Sequence, residues 1–268
     1  MNKKLFLSII GSVTLLTGCS SNDETDGTNN PNGPKILLSK ITTVYYDNPA
    51  NPQTNVATLE YNNQGQLIKI LSEGRASSFE YEASGKPIKT NYYKADGTLD
   101  YYSTYTYNGE QLTTTKSIYT NPDYNRTITY TYINGKVTGS SLCQGTNCNS
   151  PSTSSYAYIG DNISVETSLL SGTFSVSTKR EFSYDDKLNP FSHVNKYLRI
   201  SMGGAYVLSP NNYTSEKISY KDNAGNWVPN QNNTYEMQYN SFQLPTQVIG
   251  RDANGNSYVK YNYEYIIQ

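Results

Sequence analysis

The chain has 268 residues, with 21 Lys and Arg against 22 Asp and Glu, giving a formal charge of −1 and a pI of about 5.9. No basic field exists to gather phosphates, which excludes nucleic-acid partners. A mean hydropathy of −0.66 argues against a wall built to face lipid.

At the start of the chain, Lys3 and Lys4 precede an apolar run from Leu5 to Leu16. The run is too short to cross a bilayer as a helix, so residues 1–18 read as a targeting segment outside the fold. It ends in Leu16-Thr17-Gly18-Cys19, which resembles the lipobox of bacterial lipoproteins. That resemblance implies lipid on Cys19 and a membrane as the partner of the N-terminus. Two or three acyl chains, at about 0.8 kcal/mol per buried methylene, hold a protein at a membrane. The competing reading is an ordinary secretory signal with a chance cysteine. The acidic residues Asp23, Glu24 and Asp26 follow. They are similar to the signal that sends Bacteroidota lipoproteins to the outer leaflet of the outer membrane, so the implied address is the cell surface. Read plainly, such a charge run is a solvated linker. Residues 19–34, rich in Asn, Gly and Pro, are expected to be a flexible tether. Residues 35–268 are expected to form a single repetitive β domain.

An aromatic-x-aromatic element recurs at Phe79/Tyr81, Tyr105/Tyr107, Tyr130/Tyr132, Tyr156/Tyr158 and Phe182/Tyr184, at intervals of 26, 25, 26 and 26 residues. Such regularity marks a repeated supersecondary unit. Looser copies stand at Leu59/Tyr61, Ile218/Tyr220, Met237/Tyr239 and Tyr261/Tyr263. An aliphatic residue follows the second aromatic by five places at Leu112, Val137, Ile163 and Leu244, across turns such as Asn108-Gly109 and Asn134-Gly135. Asn-Gly accepts the positive φ of a tight hairpin, so the unit is a β-hairpin. The residue between the aromatics is Glu60, Glu80, Thr106, Thr131, Ala157, Ser183, Gln238 or Asn262, so one face is wet. The fold class expected is all-β: an antiparallel meander of hairpin repeats forming a curled sheet or partly open barrel, with about ten to fourteen strands. No stretch of the mature chain shows a helical period. With 27 Tyr against 6 Phe, the core is expected to be thin and damp at its edges, because a buried phenol needs a partner.

The Tyr-x-Tyr, Gly-turn, aliphatic pattern from Leu59 to Tyr265 is similar to the tyrosine/aspartate (YD) repeats of RHS-type surface proteins. It also resembles Bacteroidota lipoproteins whose sheet curls in a porin-like way. The segment Tyr184-Asp185-Asp186-Lys187-Leu188-Asn189-Pro190-Phe191 carries the RHS likeness most closely. No toxin domain follows the repeats, and the resemblance implies neither an enzymatic activity nor a ligand.

Cys143 and Cys148 are an even pair in an oxidising compartment and are expected to form a disulfide across a tight loop. Zinc is the rival, but a structural site wants four ligands and the chain has one histidine, His193. His193 is also the one candidate base for a hydrolytic triad, and it reads more simply as a loop residue. Glu60, Glu80, Glu181 and Glu264 are the carboxylates weighed for glycoside hydrolysis; strand positions make them solubilising groups instead. Asp252 to Asn256 and Asp222 to Asn226 have oxygen atoms at alternating positions but lack the distal Glu of a calcium loop, and read as turns. No catalytic residue, metal or cofactor is expected. Trp227, the only tryptophan, is the candidate ligand contact, as a stacking surface for a sugar or as core packing. The function expected is non-enzymatic: a lipid-anchored binding or structural module whose partner is a glycan or another surface protein. The alternatives are a glycan-capturing lipoprotein of an uptake system and a small outer-membrane β-barrel.

Overall fold

The structure is a computed structural model that describes residues 35–146, 148–172 and 175–268. The strands are β1 (Ile36–Tyr45), β2 (Gln53–Tyr61), β3 (Leu67–Ser72), β4 (Arg75–Tyr81), β5 (Pro87–Tyr93), β6 (Leu99–Asn108), β7 (Gln111–Tyr119) and β8 (Arg126–Ile133). They continue as β9 (Lys136–Gln144), β10 (Ser152–Ile159), β11 (Asn162–Leu170), β12 (Val176–Leu188), β13 (Asn211–Lys221), β14 (Trp227–Tyr239), β15 (Pro245–Arg251) and β16 (Ser257–Ile267). Each pairs antiparallel with the next, and β1 pairs with β16, so the meander closes into a barrel of sixteen strands. Closure leaves no free edge to template aggregation. The all-β antiparallel meander is as the alternation implied. The count exceeds the expected ten to fourteen because strands without tyrosine, such as β3 and β15, carry no aromatic pair to flag them.

Each even-numbered strand carries a tyrosine in its last five residues, toward the end of the barrel where the tight turns lie. There, seven tyrosine hydroxyls donate to backbone carbonyls of the preceding repeat: Tyr61 to Leu38, Tyr81 to Leu67, Tyr107 to Pro87, Tyr132 to Leu112, Tyr158 to Val137, Tyr184 to Ile163 and Tyr265 to Pro245, at 2.6–2.8 Å. Desolvation raises the phenol pKa of Tyr61, Tyr81, Tyr107, Tyr184 and Tyr265, which keeps them neutral donors. The ladder assigns β16 to the pair Tyr263/Tyr265 rather than Tyr261/Tyr263, and Tyr220 falls at the far end of β13, outside the repeat. The aliphatics after the turns, Leu112, Val137, Ile163 and Leu244, are fully buried beside the ladder. Asn134 and Gly135 both adopt positive φ, 51° and 77°, as the Asn-Gly turn requires.

Two short α-helices form where the sequence shows no helical period. Residues 189–210, between β12 and β13, form an insert carrying α1 (Lys196–Met202) and α2 (Ala205–Leu208). At seven and four residues they are too short to show a helical period. Asn195 caps α1 by accepting from Tyr197 N at 2.9 Å, and its amide donates to Gly85 O at 3.0 Å. Tyr197 donates to Glu110 at 2.6 Å, which pins the insert to a second turn. Arg199 caps α2 through the Val207 and Leu208 carbonyls at 2.8 and 3.0 Å.

The insert also corrects the expectation of a thin, damp core. It enters the ladder end of the barrel and builds two apolar clusters against opposite walls. Tyr197, Ile200, Ala205 and Leu208 pack with Leu112, Ile128, Val137 and Ile163. Phe191, Val194, Leu198, Met202 and Val207 pack with Leu38, Leu59, Leu67, Ile70 and Phe79. A meander alone cannot fill a sixteen-stranded barrel with side chains; the insert supplies the missing volume.

Candidate functional site

Above the insert, the interior changes from apolar to polar. Period-two alternation on β12 that turns Phe182 and Tyr184 inward also turns Arg180 inward. On β13 the same parity as Ile218 turns Glu216 inward, and β11 contributes Glu166. Arg180 Nη1 lies 3.5 Å from Glu216 Oε1. Glu216 Oε2 accepts from Tyr235 Oη at 3.1 Å and from Asn233 Nδ2 at 3.5 Å, and Tyr258 donates to the Tyr235 hydroxyl at 2.6 Å. Glu166 accepts from Ala205 N of the insert at 3.3 Å.

Tyrosines complete the lining. Tyr213 meets Tyr235 edge to face at 4.6 Å, and Phe182 meets Tyr213 at 5.6 Å. Tyr206 rises from α2 among inward groups of β11, β12 and β16, yet is 44% exposed, so solvent reaches the space above the insert. Burial, with Glu166 nearby, pushes the Tyr206 phenol up to about 12. Burial raises the Glu166 carboxyl above its ordinary range, against the pull of Arg180. Burial alone would lower Arg180, but Glu216 and Glu166 outweigh it and hold the guanidinium above its ordinary value. The result is a polar layer among aromatic rings, a cup in which two carboxylates share one guanidinium, with Glu216, Asn233 and Tyr235 buried and Tyr206 its exposed member. Such a lining can stack on a ligand ring and hydrogen-bond its hydroxyl or amine groups.

Apart from Phe182, which the repeat marks, none of these residues was singled out from the sequence. The parity that places Arg180 and Glu216 inside was there to read, because each shares its strand face with aromatic or aliphatic core residues.

The residues that were singled out lie elsewhere. Cys19 is outside the described residues. Cys143 and Cys148 stand as a disulfide with Cα atoms 5.2 Å apart at the end of β9. Trp227 begins β14 opposite Lys221, on the outer wall, with the ammonium groups of Lys179 and Lys221 5.8 and 5.7 Å from its ring. It is neither core nor flanked by the tyrosines of the cup. His193 is exposed in the turn before α1. Glu60, Glu80, Glu181 and Glu264 are on the outer wall, paired with Lys69, Lys89, Lys179 and Lys40. Asp252 accepts from the amides of Asn254 and Asn256, both at 2.9 Å, and Asp222 from Ala224 and Asn226 at 2.9 and 2.8 Å. Both segments are side-chain-capped turns.

A family model described as "Uncharacterised protein" matches residues 56–156. No curated protein matches the chain. Among solved structures, a porin-like protein from Bacteroides uniformis is 16% identical with a TM-score of 0.55, over 85% of this chain and 98% of that one. A porin-like protein from Bacteroides vulgatus is 11% identical with a TM-score of 0.58, over 87% and 99%. These likenesses establish the fold: a closed antiparallel barrel of the porin-like kind. A chain of the Photorhabdus luminescens Tc holotoxin pore, 12% identical, matches over 85% of this chain and 15% of its own at a TM-score of 0.30, too loose a fit to carry an argument.

Proposed function

We propose that this chain is a non-enzymatic binding module, tethered to the outer membrane by lipid on Cys19 and displayed at the cell surface, with its barrel standing in water. The observation that carries this reading is the outer wall. Strand after strand turns Thr, Ser, Lys, Glu and Asn outward, and cross-strand ion pairs ring it: Lys40–Glu264 at 2.7 Å, Glu60–Lys69 at 3.1 Å and Arg251–Glu236 at 2.8 Å. On a lipid-facing wall, a Lys or Arg at the bilayer midplane costs about 2–4 kcal/mol. The fully buried wall residues Leu67, Leu112, Val137, Ile163, Leu244 and Val259 face inward, whereas a membrane barrel turns a continuous apolar band outward.

A glycan is the ligand class favoured for the cup, because its tyrosine rings can stack on sugar faces while Glu216, Glu166 and Arg180 meet hydroxyl groups. The test is to express residues 20–268 and examine them without detergent. A monodisperse β-rich protein supports the water-immersed barrel, and aggregation relieved only by detergent refutes it. Polysaccharide binding that is lost in Glu216→Ala and kept in Trp227→Phe supports the cup; loss only in the Trp227 variant refutes it.

A further inference from the structure

Four of the five arginines meet oxygen atoms. Arg75 faces Asp100, Arg180 faces Glu216, Arg251 faces Glu236, and Arg199 donates to two carbonyls. Arg126 is the exception. It begins β8, at the end of the barrel away from the tyrosine ladder, and shares the strand face of Ile128 and Tyr130, so its side chain turns inward. Among the described residues it makes no ion pair, and its Nε is buried without a hydrogen-bond partner.

The guanidinium lies 5.9 Å from the ring centre of Tyr119. Tyr119 of β7 ends a stack of three rings on neighbouring strands. Tyr92 of β5 and Tyr101 of β6 are 4.2 Å apart and nearly parallel, and Tyr101 and Tyr119 are 4.3 Å apart. Parity with Tyr105 and Thr115 turns Tyr101 and Tyr119 into the barrel. Burial raises the Tyr101 phenol, and the charge of Arg126 opposes that rise. The backbone around the stack is braced. Asn125 Oδ1 accepts from Tyr119 N at 2.8 Å, and Asn125 O accepts from Gly145 N at 2.7 Å, in the loop that the Cys143–Cys148 disulfide closes. A guanidinium stays charged at any pH a protein meets. Partly burying one without a counter-ion is costly, and contact with one ring face offsets only part of that cost. The ring explains where the guanidinium lies but leaves its Nε donor unused.

We propose that Arg126 and the Tyr92–Tyr101–Tyr119 stack form a second site of the barrel interior, which takes the carboxylate of an acidic saccharide such as a polyuronate. The proposal rests on the glycan reading above and narrows it to an anionic glycan. The planar guanidinium matches a carboxylate in a two-pronged hydrogen bond, and the phenols offer hydroxyl groups to the sugar. Arg180 is not free for this role, because Glu216 and Glu166 already share it. With a net charge of −1 the chain has no diffuse positive field, so a preference for an acidic polymer must come from a local group.

Titration calorimetry of the full chain with polygalacturonate, alginate and hyaluronan, each as the acid and as its methyl ester, tests this, since the ester keeps the sugar and removes the charge. At least one acid should bind about tenfold tighter than its ester, as expected for a hydrogen bond to a charged group. Arg126→Gln should reduce the acid to the affinity of the ester. Arg126→Lys, which keeps the charge without the fork, should retain part of the preference. The wild-type comparison needs no variant, so it stands even where Arg126→Gln fails to fold. Acids that bind no tighter than their esters overturn the proposal; the glycan reading then stands if esters or neutral polysaccharides bind, and falls as well if none does. An acid preference that survives Arg126→Gln also overturns the proposal, because another group then meets the charge.

Discussion

The Tyr239 hydroxyl donates to the Asp185 carboxylate, where the corresponding tyrosines of the other seven even-numbered strands donate to a backbone carbonyl. Asp185 lies near the end of β12, just before the insert, and its carboxylate takes the place that a carbonyl at the start of the preceding strand holds in the other rungs. Asp185 also accepts from Lys187 N at 2.9 Å and Asn212 N at 3.2 Å, so one carboxylate joins both ends of the insert to the ladder. Asp185→Ala should lower stability by about 1.5–3 kcal/mol, the range for hydrogen bonds to a charged group. Urea unfolding measures this, and an unchanged midpoint would show that the insert is held without Asp185.

The ladder itself is testable one rung at a time. Tyr158→Phe removes the hydroxyl that donates to the Val137 carbonyl beside fully buried side chains. The expected cost is about 1–3 kcal/mol. Leu112→Ala, which opens a cavity under the same ladder, should cost more, about 2–5 kcal/mol. Equal costs would mean that the hydroxyls matter as much as the aliphatic ring.

Gly250 on β15 faces inward opposite Val259. An added Cβ would lie 2.7 Å from Val259 Cγ1 and 3.0 Å from the Tyr258 ring, so Gly250→Ala forces the wall apart. Overpacking of this kind costs about 1–3 kcal/mol. A further loss of ligand binding would be expected, because the Tyr258 ring that must move donates to Tyr235 in the cup.

Burial raises the Glu166 carboxyl, opposed by Arg180 and by the Ala205 amide. The folded protein therefore keeps this proton at pH values where the unfolded chain has released it. Stability from this group falls as pH rises from the ordinary carboxylate range through the raised folded value. Glu166→Gln removes the titration. The variant should gain stability relative to wild type across that window, with a flat difference below it. A pH-independent difference in urea midpoint would refute the assignment.

How far the fold could be read in advance follows from where each signal lives. The pairs Tyr107/Leu112 and Tyr132/Val137 are a few residues apart, so spacing alone placed them on one face, and the structure pairs them across their turns. Glu166, Arg180 and Glu216 are about 50 residues apart at the extremes and meet only after β11, β12 and β13 align. The insert was illegible for a different reason. Its buried faces, Tyr197, Leu198 and Ile200 among them, touch two opposite walls, so no one-sided period marks it.

The sequence by itself determined the hairpin repeat, the wet and dry faces and the antiparallel order, because period-two alternation and turn chemistry are local. It also contains the features behind the membrane reading, Leu16 to Cys19, which owe nothing to the fold. Only the tertiary structure decided that the sheet closes, since the pairing of β1 with β16 spans the whole chain and no local spacing encodes it. Closure creates an interior, the interior must be filled, and the insert fills it at one end. Above Tyr206 lies the cup, which exists because β11, β12 and β13 bring Glu166, Arg180 and Glu216 to one place inside the closed wall.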